Sequence, residues 1–220
     1  MEARYRKDYP GEFVVVESRW TKGRKEQTRE WIDNPISNQH ISGRAACIIS
    51  DLDKEFFDYT LLQKHKGGLL GSKKLQTYGI GHVIKEMRLD FAVELQKENL
   101  DEIKSTGYQV DNIVYTTARQ CLLSPGEFYL IPYNPMLSQE ALVLYLAAFD
   151  GHKEIFMFGF KSDTEGSNSA WIAQVNSVIQ TYSSIDFIAV TAETTTPKCW
   201  SENSNFKHMS VRKFISYCDV

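Results

Sequence analysis

The stretch "AAFDGHKEIFMFGFKSD", residues 147–163, sets the tightest limit on what this chain can become. An alanine-rich apolar run gives way to Asp150, Gly151 and His152, and six nearly uninterrupted apolar residues follow before a second polar burst. Gly151 supplies the left-handed conformation that closes a helix, and "IFMFGF" has the length of a strand buried on both faces. A helix feeding a doubly buried strand is a joint of a parallel α/β sheet. Lys161 then emerges at the strand's carboxyl end, the edge at which open α/β sheets hold their ligands.

The rest of the chain carries the same alternation. "DFAVELQ" reads as a strand, "NLDEIKSTG" as a short helix with Asn99 as N-cap and Gly107 beyond its end, and "DNIVYTT" as the next strand. Strand, helix and strand within about thirty residues form the unit of a parallel sheet. "AACIIS" (45–50), "EFYLIPYNP" and "DFIAVTA" supply further strands. Ser138 caps a helix over 139–149, and a second helix runs from about Ser169 through Trp171, Val175, Val178 and Tyr182. "NFKHMSVRKFISYCDV" reads as a last helix ending at Cys218, while "LLGSKKLQTYGIG" interleaves glycines with apolar residues and fixes no element. Ahead of all this, 13–20 and 27–33 flank a turn at Gly23 and predict a β-hairpin. The expectation is one α/β domain over 1–220, Rossmann-like, with a mainly parallel sheet flanked by helices and a hairpin excursion at 12–34.

Composition excludes several classes. With 42% hydrophobic residues in 220, the chain builds a real core. Residues 1–90 hold 16 Lys/Arg against 13 Asp/Glu, a net of +3, and the remainder 9 against 15, a net of −6. That is short of the basic excess of a nucleic-acid binder. The four cysteines form no C-x-x-C pair, which points away from zinc ribbons and redox motifs. "ALVLYLAAF" is too short to span a bilayer and "MEARYRKDYPGE" lacks the apolar core of a signal peptide, so a cytoplasmic protein is expected.

"EALVLYLAAFDGHKEIFMFGFK", residues 140–161, resembles a segment of sialyltransferase-like bacterial and phage proteins, the motility-accessory-factor group among them. In these an alanine-rich helix precedes a glycine, a "KEI" and an apolar strand. The resemblance implies a nucleotide-binding α/β sheet and, as activity, transfer of a sugar from a nucleotide donor. "IISDLDK" carries a second resemblance, to the first motif of haloacid-dehalogenase-type phosphatases, which implies Asp51 as nucleophile, Asp53 as acid-base and Mg²⁺ as cofactor. Two carboxylates one residue apart at a strand end also suit a divalent ion beneath a diphosphate. The same aspartates would equally cap a helix over "KEFFDYTLL".

Other polar clusters flank the expected strands. "NPISNQHISGRAAC" places Asn38, His40, Ser42 and Arg44 just before strand 45–50. Arg44 suits a phosphate and His40 proton transfer near neutral pH, although Asn and Ser side chains also serve to satisfy an irregular loop. "HKGGLLGSKK" combines Gly67 and Gly68 with Lys73, the chemistry of close backbone approach and charge neutralisation, without the spacing of a P-loop. If strands 45–50, 91–95, 112–116 and 155–160 are parallel neighbours, Ser50, Asp51, Thr116 and Lys161 share one sheet edge. The expected site is thus Asn38, Ser42, Arg44, Ser50, Gly67, Gly68, Lys73, Thr116 and Lys161 for the ligand, His40 and Asp51 for chemistry, and Asp51 with Asp53 for metal. The expected partner is a nucleotide or nucleotide sugar, with a phosphatase or a non-catalytic assembly protein as the alternatives.

Overall fold

Apolar runs bounded by turn residues become strands wherever a neighbour on each side can complete their hydrogen bonding. The computed structural model describes residues 2–6, 12–21, 24–33, 43–49, 75–133, 135–161, 170–191 and 196–218. Strands β1 (Glu2–Arg6), β2 (Glu12–Thr21) and β3 (Arg24–Asp33) form an antiparallel sheet in that order. The expected hairpin is therefore there, with one more strand ahead of it.

The second sheet holds β4 (Arg44–Ile48), β5 (Gln76–Ile80), β6 (Phe91–Val93), β7 (Ile113–Thr116), β8 (Tyr129–Leu130), β9 (Glu154–Phe158), β10 (Asp186–Val190) and β11 (Phe206–Met209). All neighbours are parallel, in the order β11-β10-β9-β4-β5-β6-β7-β8. The chain starts at β4, steps outward to β8, returns to lay β9 on the free side of β4, and steps outward again. This is a Rossmann-like α/β fold whose direction of winding reverses between β4 and β9.

The helices are α1 (Lys97–Thr106), α2 (Tyr108–Asp111), α3 (Ala118–Leu123), α4 (Gln139–Phe149), α5 (Ala170–Thr181), α6 (Lys198–Ser201) and α7 (Val211–Cys218). A 3-10 helix spans Gly81–Lys85. Helix α4 begins at Ser138, whose Oγ accepts from Ala141 N–H, and its apolar residues are buried on nearly every side. It ends in a Schellman motif: Gly151, at φ 90°, donates to Ala148 O, and His152 N–H donates to Ala147 O.

Strand alternation puts α4 and α7 on opposite faces of the sheet. Cys47 Sγ donates to Val143 O in α4 at 3.6 Å, and Cys47 is in register with Tyr78 and Met157. Phe156 and Phe158, pointing the other way, meet Phe214 of α7 with ring centroids 4.9 and 5.0 Å apart. On the α4 side, Tyr78, Phe91, Tyr115 and Tyr129 form a row of rings across β5 to β8.

Three local expectations are corrected. Strand β5, unassigned from sequence, fills the place between β4 and β6, so 45–48 and 91–93 are not direct neighbours. Its polar Thr77 is satisfied by Asp90, which accepts from Thr77 N–H and Oγ1 at 2.8 Å each, and Gly79 makes room for Leu89. The C-terminal stretch is strand β11 before it is helix, because buried Asn205 donates to Ile179 O and Ile185 O and delivers Phe206 to the sheet. Helix α1 starts two residues before Asn99, with Gln96 at its N-cap; the Asn99 side chain serves another purpose, described below.

Candidate functional site at the carboxyl edge

Where the winding reverses, two neighbouring strands send their following loops apart and leave a crevice between them. Here the reversal falls between β4 and β9. Ile49 N–H donates to Phe158 O at 3.2 Å, holding the two ends together. Gly159 follows at φ 78°, a conformation that favours glycine, and Lys161 N–H turns back onto Gly159 O at 2.8 Å. Phe160 anchors this turn: it is buried, with its ring 6.4 Å from Trp200, which itself donates from Nε1 to Ile172 O. Lys161 leaves the turn exposed. A turn with a glycine backbone and a lysine suits close approach by an anionic group.

The structure sets the end of β9, which Lys161 follows, beside the end of β4, but does not gather all the expected residues there. Thr116 ends β7, three strand spacings from β4 or roughly 14 Å. Its hydroxyl is buried with no hydrogen-bond partner among the described residues. Arg44 opens β4 and so lies at the amino edge, a strand length of roughly 16 Å from Lys161's end. There its Nε donates to Glu154 Oε2 at 2.7 Å and its guanidinium covers the Tyr217 ring at 4.8 Å, while Tyr217 OH donates to Glu154 Oε1 at 2.6 Å. The cluster ties α7 to the start of β9. Asn38, His40, Ser42, Ser50, Asp51, Asp53, Gly67, Gly68 and Lys73 lie outside the described residues. Among the described residues, no group of three His, Cys, Asp or Glu side chains is placed to hold a metal ion, so the metal expectation rests on Asp51 and Asp53.

Two buried polar networks lie outside the expected ligand site. At the carboxyl end of β6, Glu94 is 1% exposed. Its Oε1 accepts from Leu95 N–H and Gln96 N–H at 2.8 Å each, and its Oε2 from Asn99 Nδ2 at 3.1 Å and Gln139 Nε2 at 3.4 Å. Gln139 also donates to Val93 O, so one carboxylate fastens the start of α1 and the start of α4 to the end of β6. A methyl group at Gly81 would collide with this carboxylate, which requires glycine there. The available signal was an acidic residue directly after the apolar run "DFAV".

The second network lies under α4. Tyr78 OH donates to Asp150 Oδ2 at 2.6 Å and stands 3.1 Å from His152 Nε2. A phenol has one proton; with that proton on the Asp150 carboxylate bond, the oxygen accepts from His152, which therefore carries its hydrogen on Nε2. All three residues are fully buried. Asp150 and His152 thus stitch the helix end to the sheet, the structural role that their place at a helix C-terminus allows.

Beside the Glu94 network runs a cleft of about 260 Å³ between the 3-10 helix and α1. It exists because the chain crosses from β5 to β6 in ten residues, 81–90, close to the lower limit for a crossover and too few to lay a full helix on the sheet. Tyr108 forms part of its lining and is locked there: its OH accepts from Leu89 N–H at 3.1 Å and faces Leu89 O at 3.2 Å as donor.

Burial pushes the Tyr108 phenol up to about 12, the Leu89 hydrogen bond working in the opposite direction. The fold therefore favours the neutral phenol. Its stabilisation is complete below about pH 10, the unfolded value, and is lost as pH rises toward 12. Burial raises Tyr145, Tyr182 and Cys47 as well, so several groups act together. Urea unfolding is expected to show stability falling across pH 10–12, with a shallower fall in Tyr108→Phe; identical pH slopes would contradict the assignment.

No helix among the described residues is long and apolar enough to cross a membrane. Neither a protein-family model nor a curated protein matches this sequence.

Proposed function

We propose that the chain binds a nucleotide sugar across the carboxyl ends of β4 and β9 and transfers the sugar to an acceptor. The observation that carries this reading is the reversal of strand order at that point, the position at which open α/β sheets receive nucleotides. The segment resembling sialyltransferase-like proteins, 140–161, supports it, since it spans α4, β9 and the turn at Gly159, the elements that build one wall of the crevice. In this reading Lys161 and the backbone of the turn meet the phosphates, with Lys73 and the Gly67–Gly68 backbone as further partners. Asp51 and Asp53 would hold a divalent ion such as Mg²⁺, which supplies charge neutralisation at the leaving diphosphate. His40 removes the proton from the acceptor hydroxyl. Arg44, engaged at the opposite edge, takes no part.

Thermal-shift measurements with CMP-, UDP- and GDP-sugars test this. A ligand at 100 times its dissociation constant adds about 2.7 kcal/mol, which for a chain of this size raises Tm by about 5–11 °C. Absence of any shift with nucleotides or nucleotide sugars at millimolar concentration would count against the proposal.

One observation favours a second reading. Asp51 follows the end of β4, a strand of the reversal, by three positions in the chain, and a phosphatase nucleophile is expected shortly after such a strand. A Mg²⁺-dependent phosphatase would hydrolyse small phosphomonoesters and lose that activity in Asp51→Asn. Unchanged hydrolysis in that variant removes the second reading.

A further inference from the structure

The cleft between the 3-10 helix and α1 has a defined chemistry that the switch-point reading does not use. Its lining combines apolar Ile84 and Ile103 with the side chains of His82 and Tyr108 and with two acceptor-bearing residues, Asn99 and Glu102. The Asn99 amide is oriented by Glu94: its Nδ2 must face that carboxylate, which can only accept, so Oδ1 is the end left to accept from a guest. Glu102 is held by Lys85 at 2.9 Å, with side chains 60% (Lys85) and 51% (Glu102) exposed. Such a solvated pair yields readily to a competing donor. The walls are already fixed, by Glu94 at the head of α1 and by the Tyr108 hydroxyl on Leu89, so a guest has little ordering to impose.

A flat, mostly apolar guest offering N–H donors at its edge meets these requirements. We infer that the cleft seats a nucleobase bearing an exocyclic amine, with the amine donating to Asn99 Oδ1 and Glu102. This inference rests on the nucleotide-binding reading and extends it. Gly81, which lines the cleft, directly follows β5, and β5 lies two strand spacings, roughly 10 Å, from β9. That span is of the order that separates a base from its distal phosphate. Uracil, with a carbonyl in place of the amine, would turn an acceptor toward two acceptors.

Calorimetric titration with CMP, AMP, GMP, UMP and pyrophosphate tests the assignment on wild type, Thr106→Trp and Glu102→Ala. Thr106 is exposed and lines the cleft, so tryptophan there fills the space from the solvent side. At least one amine-bearing nucleotide is expected to bind about tenfold or more tightly than UMP. Thr106→Trp should weaken that nucleotide about tenfold while leaving pyrophosphate unchanged, and Glu102→Ala should reduce the preference over UMP. Glu102→Ala, at an exposed helix position, decides the matter if the tryptophan variant does not fold. Nucleotide binding and base preference unaltered by these substitutions would place the base elsewhere and leave the nucleotide reading standing. Failure of every nucleotide and of pyrophosphate to bind would overturn both.

Discussion

Glu94→Ala is expected to cost about 3–4 kcal/mol, lowering Tm by roughly 6–16 °C for a domain of this size. The carboxylate is 1% exposed and takes four donors, two from the backbone at the start of α1 and two from the side chains of Asn99 and Gln139. Alanine leaves those donors without their acceptor and opens a space at the end of β6. Glu94→Gln separates charge from shape. Its Oε1 would keep the backbone pair, but its amide nitrogen would confront the Asn99 and Gln139 donors, so about half of the loss should remain. Urea unfolding of both variants measures this. Equal stability of wild type and Glu94→Ala would show that the network contributes nothing net.

Phe214→Ala carries a comparable loss of about 3–5 kcal/mol, the range for removing a fully buried aromatic ring. Phe214 is 0% exposed and meets Phe156 and Phe158 edge to face. It is an apolar anchor of α7, which is also held by the Tyr217 ring against Phe156 at 6.2 Å between centroids, by the Tyr217–Glu154 bond to β9 and by the Arg44 contact to β4. The effect should reach the crevice, because Phe158 directly precedes Gly159. The variant is therefore expected to unfold at lower urea and to gain less stability from a bound nucleotide than wild type does. A normal melting curve would refute the packing argument. A lowered one with an undiminished ligand shift would limit the role of Phe214 to stability.

The parallel sheet was legible because its strands are doubly buried apolar runs. "IFMF" and "DFIAV" admit few other readings, and Gly151 and Ser138 mark helix ends by local chemistry that needs no tertiary information. Strand β5 was not legible, because its five residues include Gln76, Thr77 and Gly79. Their presence makes sense only once Asp90 answers Thr77 and Leu89 fills the space over Gly79, thirteen and ten positions further along. Asn99 illustrates the same limit. Its position before an amphipathic run matches an N-cap, yet a buried carboxylate five residues earlier claims the side chain. The strand ends were legible to this extent: the end of β9, which Lys161 follows, lies beside the end of β4. Arg44 was drawn into it by proximity in sequence, but a residue that opens a strand and one that follows its neighbour lie a strand length apart.

The claim at the centre is that the crevice between β4 and β9 receives the phosphates of a nucleotide. A crystal soaked with a CMP-, UDP- or GDP-sugar at millimolar concentration examines it directly. The expected result is phosphate density within hydrogen-bonding distance of the Gly159–Lys161 backbone, at the carboxyl ends of β4 and β9. Density only at the amino edge, against Arg44 and Glu154, or none at all in the crevice, would contradict it.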